Sequence, residues 1–481
     1  MFKLAPTDAT FLFAETPRTP MHIASVQIFD LPAGVSTDQF VAALRKRVQE
    51  RAPRVPYMTR RLQEDSAGIT PPNWVESADI DILQHVHRVD VPAPGGMREL
   101  ERTIASLHDT PLDRSRPLWD LTVLCGLAGN RVACYNRVHH ACVDGMAGQA
   151  GIVALMDDTA AQPQPGQPAI PERSPVNLWH DWAIQEADRL HNWPRMLEGW
   201  RRVAVHQSHP DAALNGGTDM APATPLNRAV GRARTWSTAV LPLPALKRTT
   251  RATGTTLNDL LLALCGGAIR SYLQRREMLP GRDLLAGCPV SLRRPGDRMA
   301  GNQVGMMRVG LGTTLDDPLA RLQSVHRGST HAKQLAADMR LLGDAPPLLP
   351  GMPMLLRAAS LSGGMLASDN SPVPTPFNVV ISNVPGPRQA LSLLGAPMRT
   401  HFPVSIPGHG VGVNITVQSY AGRLFLGITA CARAMPDPAE LRNDLLAAWT
   451  ELDTLTMSSA PGRHPRHTAA FPLASILPKA A

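Results

Sequence analysis

Two rhythms of apolar and polar positions run along the chain. Residues 23–29 (IASVQIF) and 131–138 (RVACYNRV) carry β-branched and apolar residues at strand spacing, and both read as buried strands. From Ser36, STDQFVAALRKRVQE sets Phe40, Val41, Leu44 and Val48 at helical spacing behind a capping Ser or Thr, which predicts an amphipathic helix. A second helix starts at Met97 and runs toward RSRPLWDLTVLCGL, where Pro117, Leu118 and Trp119 open another strand. Small and apolar residues 145–156 predict a packed helix directly after the 131–138 strand. Residues 8–30 open the chain with a short helix-like segment and a Pro-bracketed turn before the first strand. The first part of the chain thus alternates helix and strand.

The rhythm breaks at residues 157–175, DDTAAQPQPGQPAIPERSP, a linker or crossover. Beyond it Trp179, Trp182, Leu190, Trp193, Leu197 and Trp200 lie roughly along one helical stripe, with arginines nearby and Pro194 as a kink. Two readings stand: a bridging helix packed on two domains, or an interfacial helix touching lipid. After a loop at 216–232 come a strand at 234–243, a strong helix from Leu257, strands from Asp283 and Gln303, and a helix from Asp316. Residues 341–366 are apolar but broken by Pro346, Pro347, Pro350 and Pro353, so they do not span a bilayer; irregular core, a tunnel lining and an interfacial dip are the alternatives. Residues 377–389 predict a strand ended by a Pro-Gly-Pro turn, and 411–432 a hairpin around Ala421 and Gly422. A helix with Asp437, Pro438 and Glu440 as start signals closes the fold, and the tail after Ser458 reads as disordered. The expected division is 1–160, a connecting region 161–232, 233–457, and the tail 458–481.

Length supports that division, since 481 residues exceed one ordinary core. The apolar share of 43% is ample for packing, while 45 prolines and 37 glycines point to many breaks between elements. A net charge of +8 without a dense basic run suits a phosphate-bearing cofactor or anionic membrane better than nucleic acid. The six cysteines form no CxxC pair and mostly sit among apolar neighbours, as reduced thiols of a cytoplasmic protein do. MFKLAPTDATFLFAE shows no secretory signal, and no segment approaches the roughly 20 apolar residues of a spanning helix.

Candidate chemistry centres on HHACVDG, residues 139–145, at the turn between a strand and a helix. An imidazole can take a proton from an alcohol or thiol and return it near neutral pH, given an orienting partner. Asp144, four residues past His140, could orient the ring, and Gly145 permits close approach of chain or ligand. Equally, Asp144 caps the following helix and the histidines are buried polar groups. No further cluster has metal-like spacing, so no metal is expected. Thr256 to Asp259 fits a capping box, the structural reading for Asp259. No GxSxG elbow is present, which leaves an acyl-serine mechanism without a nucleophile.

HHACVDG resembles the HHxxxDG signature of the CoA-dependent acyltransferase superfamily. LAPTDATFLFAETPRTPMHIA near the start, PLW at Pro117 to Trp119, ND at Asn258 and Asp259, PVSLR from Pro289 and SNVPGP from Ser382 resemble, in order, the blocks of bacterial wax ester synthase/diacylglycerol acyltransferases. The resemblance runs from about residue 3 to 455. It implies an α/β (α+β) fold of two chloramphenicol-acetyltransferase-like domains with mixed sheets, joined by a crossover linker and helix, with an active-site tunnel at their interface. It further implies direct transfer from acyl-CoA, a substrate rather than a permanently bound cofactor, to a long-chain alcohol and possibly to diacylglycerol. His140 is then the general base and His139 its support. Asn258 is the candidate oxyanion donor, a role worth roughly 3 kcal/mol in comparable sites. Pro117, Leu118 and Trp119 form core or tunnel wall, while Asn383, Pro385, Gly386 and Pro387 shape a turn near the substrate. Cys142 is a spacer. Peripheral contact with a membrane or lipid inclusion is expected, and no nucleic acid. A different alcohol or amine acceptor, or a noncatalytic lipid-inclusion protein of the same fold, are the alternatives.

Overall fold

Runs of β-branched and apolar residues become strands, and the turns between them decide which strands meet. The computed structural model describes residues 2–4, 6–63, 72–77, 79–143, 145–157, 187, 191, 193–291, 304–341 and 373–458. Its main strands are β1 (His22–Asp30), β2 (Val86–Asp90), β3 (Trp119–Leu127), β4 (Arg131–His139), β5 (Arg234–Pro242), β6 (Leu285–Ser291), β7 (Val304–Gly310), β8 (Val379–Val384), β9 (Phe402–Val404), β10 (Val413–Tyr420) and β11 (Arg423–Cys431). They form two mixed sheets, one of five strands in the order β9-β1-β4-β3-β2 and one of six in the order β7-β6-β8-β10-β11-β5. Parallel pairs (β2 with β3, β8 with both β6 and β10) sit beside antiparallel ones. The hairpin expected at Ala421 and Gly422 forms, with φ of 44° and 79° at its two turn residues. Positive φ at both matches the twist of the flanking strands, and glycine takes it without steric cost.

The principal helices are α1 (Pro6–Ala14), α2 (Thr37–Arg51), α3 (Met97–Leu107), α4 (Gly145–Leu155), α5 (Trp193–Gln207), α6 (Leu243–Thr253), α7 (Leu257–Gln274), α8 (Pro318–Leu341) and α9 (Pro438–Ser458). Helix α2 starts as its sequence predicts. The Ser36 hydroxyl accepts from the Gln39 N–H, the Gln39 amide oxygen accepts from the Ser36 N–H, and Phe40, Val41, Leu44 and Val48 are buried. Helix α6 was not foreseen, because Leu243 read as the end of a strand; a proline near its start fixes a helical φ and turns the chain instead. Among the described residues no helix is long and apolar enough to cross a membrane.

Two hydrophobic cores back the sheets, one around Phe40, Leu100 and Val132 and the other around Leu264, Ile415 and Trp449. Their joint is covalent as well as packed, because β9, from the second half of the chain, is the edge strand of the first sheet. Pro403 within it pairs with Ser25 of β1, and an edge tolerates a residue with no N–H to donate outward. The Trp236 indole donates to the Pro403 carbonyl at 3.2 Å, and Phe402 packs edge-on against Phe425 at 5.2 Å between ring centroids. Gly427 is required there, since a Cβ would stand 1.8 Å from the Pro403 carbonyl oxygen. A second tie runs the other way. Buried Glu101 on α3 accepts from the Thr238 N–H at 2.7 Å and the Thr238 hydroxyl at 2.8 Å on β5. Burial pushes its carboxyl above the ordinary range, and the threonine donors only partly offset that.

Candidate active site

His140 follows β4 directly, held in place by its backbone. Its N–H donates to the Met21 carbonyl at 2.8 Å, one residue beyond the His22–His139 pairing of β1 and β4. The imidazole stacks on Phe11 of α1, with ring centroids 4.0 Å apart and planes within 6°. Stacking fixes the ring plane, and the ring lines a cavity of about 950 Å³ between the two sheets.

His139 points elsewhere. It is fully buried and absent from the cavity wall; its Nδ1 accepts from the Ala141 N–H at 3.1 Å, and its Nε2 stands 3.3 Å from Glu15 Oε1. Glu15 also takes Arg114 at 3.0 Å and the Met21 N–H at 3.0 Å. Burial raises its carboxyl, but His139, Met21 and Arg114 together outweigh burial and hold it below the ordinary glutamate range. Glu15 therefore braces Met21, whose carbonyl receives the His140 N–H. Glu15→Gln is expected to cost about 1–3 kcal/mol, since partners buried with the carboxylate lose charge-assisted bonds. A carboxyl depressed in the folded state stabilises above its unfolded value of about 4.3, and loses that contribution as pH falls through its folded value. The variant should thus melt lower than wild type at pH 7, with the gap closing below about pH 4; equal midpoints at pH 7 would remove Glu15 from the scaffold.

The other sequence candidates divide. Trp119, Asn383 and Pro385 line the cavity with His140, and the Trp119 indole donates to the Met58 carbonyl at 3.0 Å. Pro117 and Leu118 are buried beside it but do not face the space. Gly386 lies just behind, where its N–H donates to the Ser419 hydroxyl at 3.0 Å and a Cβ would meet the Ser419 carbonyl oxygen at 2.1 Å. Pro387 accepts from the Ala421 N–H at 3.3 Å. Asn258, half-buried in the first turn of α7, is not on the cavity wall. Asp259 is fully buried; it closes the capping box with Thr256 and takes His326 Nδ1 at 2.7 Å and the Ser329 hydroxyl. Gly145 begins α4, and Asp144 lies outside the described residues, as do Trp179, Trp182, residues 158–175 and 342–366, and the tail from 459.

Several wall residues carried no motif. The Gln149 Nε2, one turn into α4, is buried without a hydrogen-bond partner among the described residues. Asn414, Thr416 and Gln418 on β10 face the cavity, and Arg137 of β4 bonds Asp120 of β3 at 2.6 Å on its opposite side. Polar residues at every second position of NITVQ were the available signal, since such alternation inside a buried strand marks a polar cavity face. Burial pushes the Cys142 thiol well up, so it is no nucleophile at neutral pH. Among the described residues no group of His, Cys, Asp or Glu is arranged to hold a metal ion.

Two mixed sheets, the first completed by an edge strand from the second half of the chain, with a histidine turn facing the space between them, define a chloramphenicol-acetyltransferase-like fold. The starter condensation domain of rhizomide synthetase has it, at a TM-score of 0.56 and 16% identity over 98% of this chain and 96% of that one. A closer likeness is the wax ester synthase/diacylglycerol acyltransferase from Marinobacter aquaeolei VT8, with a TM-score of 0.66 and 27% identity over 94% of this chain and 99% of that one. Residues 4–261 match the wax ester synthase/diacylglycerol acyltransferase catalytic domain and residues 300–453 the C-terminal domain. A Mycobacterium tuberculosis protein named, provisionally, as a diacylglycerol O-acyltransferase is 34% identical over 465 residues, 94% of this chain and 99% of its own. The chain belongs to the wax ester synthase/diacylglycerol acyltransferase family, as its ordered motifs led us to expect, and is an acyltransferase.

Proposed function

We propose that the chain moves a long-chain acyl group from acyl-CoA to the hydroxyl of a fatty alcohol, giving a wax ester, and to that of diacylglycerol, giving triacylglycerol. The observation that carries this reading is His140, plane-locked on Phe11, at the wall of a cavity large enough for long chains. His140 takes the proton of the acceptor hydroxyl as its oxygen attacks the thioester carbonyl. The tetrahedral intermediate then collapses, the C–S bond breaks, and the imidazolium returns the proton to the departing CoA thiolate. The developing oxyanion needs a neutral donor from the cavity wall. Gln149, with its unpartnered Nε2, suits that role better than Asn258, which does not face the space.

Names of relatives support both acceptors without choosing between them. Contact with a membrane or lipid inclusion is the natural route for insoluble acceptors. Helix α5 supports it, with Leu197 57% and Val205 65% exposed beside Arg201. Purified protein given palmitoyl-CoA with hexadecanol and with dioleoylglycerol in parallel should release CoA thiol with both. Release with one alone narrows the acceptor, and release with neither overturns the proposal.

A further inference from the structure

The cavity is not uniformly apolar. Ser25 on β1 stands opposite Asn136 on β4 and opposite Pro403 on β9, so the three form one row across the sheet, and all line the cavity. His401, two residues before Pro403, lies on the same face as its diagonal neighbour and lines the cavity as well. Along β4 this row is four residues from His140, about 13 Å at roughly 3.3 Å per residue.

His401 is 1% exposed, and its Nδ1 lies 3.2 Å from the Gln418 amide nitrogen. An amide NH₂ only donates, so Nδ1 accepts and the ring proton sits on Nε2. That Nε2 is buried with no hydrogen-bond partner among the described residues. Burial pushes the ring's pKa down to about 4, which leaves a neutral N–H donor at neutral pH. Beside it the Ser25 hydroxyl accepts from the Gln27 amide at 2.7 Å, and that amide's oxygen accepts from Asn136 at 2.6 Å; the Ser25 O–H proton is left for another acceptor. A purely apolar chain passing here strands a buried donor, whereas a chain carrying oxygen pairs it.

We propose that Ser25, Asn136 and His401 form a polar subsite for an oxygen function, a hydroxyl above all, carried partway along a long-chain substrate. The proposal rests on reading this cavity as the acyl-transfer site. The His401 N–H donates to the substrate oxygen and the Ser25 hydroxyl stands beside it. The hydroxyl can arrive on the acyl group of the thioester or on the alkyl chain of the acceptor, since both chains leave the reacting centre through this space.

Full-length protein is titrated with stearoyl-CoA and with hydroxystearoyl-CoA bearing its hydroxyl on the twelfth carbon, then with octadecanol and the octadecane diol with its second hydroxyl at that carbon. Trp119 lies in the cavity wall, so tryptophan fluorescence reads binding, and thiol release reads turnover. Wild type should bind the hydroxylated member of at least one pair as well as its plain counterpart. His401→Phe should lower the hydroxylated-to-plain ratio about tenfold, and His401→Gln, which keeps a donor, should restore it. The pair that responds identifies which chain carries the oxygen. Ratios unchanged in both pairs, or plain and hydroxylated substrates weakened equally, overturn the subsite. Absence of thiol release with stearoyl-CoA and octadecanol speaks against acyl transfer instead, and the binding ratios still decide the subsite.

Discussion

His140→Ala should remove CoA release from palmitoyl-CoA by a factor of about 10² to 10⁴, the range for losing a positioned general base. Its reach is confined to chemistry, because the ring is only half-buried and packs on Phe11, while the strand register at this point is fixed by the backbone bond to Met21. The thermal midpoint should therefore move little. His139→Ala is the contrasting control. That ring is wholly buried between the Ala141 N–H and Glu15, so its removal should lower the midpoint and reduce activity only in proportion to folded protein. A His140→Ala protein that keeps wild-type turnover would return the motif to a structural role and leave the cavity without a base. Loss of activity with an unchanged KM for the donor would place the defect in the chemical step.

Much of this site was legible because its chemistry is local. The histidine pair, PLW and SNVPGP each lie at a strand end, where sequence neighbours are also spatial neighbours. The elements were legible for the same reason: the Ser36 cap, the Ala421-Gly422 turn and the Thr256–Asp259 box are each closed within a few residues. What escaped reading depends on distant parts of the chain meeting. Phe11 stacks on a ring far along the sequence, Glu15 meets both His139 and Arg114, and β9 joins a sheet made by the other half. Strands β2 and β9 are too short for a period to declare itself, and Pro403 argues against a strand unless the edge position is known. Asn258 was drawn toward the site by its motif, but α7 directs that end of the chain into the second core. His401 carried no signal, since a lone histidine outside a motif has no readable partner until Gln418 is packed against it.

The largest loss of stability is expected from Asp120→Leu. Asp120 bonds the Arg137 Nη2 at 2.6 Å with both side chains largely buried, and the Arg137 Nη1 donates to the carbonyls of Leu107 at 2.9 Å and Thr110 at 2.8 Å. Removing the carboxylate leaves a guanidinium that cannot shed its proton in a poorly solvated wall, a cost of about 3–5 kcal/mol. The urea midpoint at pH 7 should fall accordingly. Burial pushes the Asp120 carboxyl up, but His87 and Arg137 outweigh it, so its folded value lies below the ordinary range. The carboxylate's contribution is then complete above its unfolded pKa of about 3.9 and disappears as pH falls through the folded value. Wild type and Asp120→Leu should accordingly converge in acid, not in base. Charge burial and packing are separated by Arg137→Met combined with Asp120→Leu. With neither charge present, the pair becomes apolar surface of similar volume, and most of the lost stability should return. A double variant as unstable as the single one would show that the wall depends on the shape of these side chains or on the Arg137 bonds to Leu107 and Thr110, rather than on neutralising a buried cation.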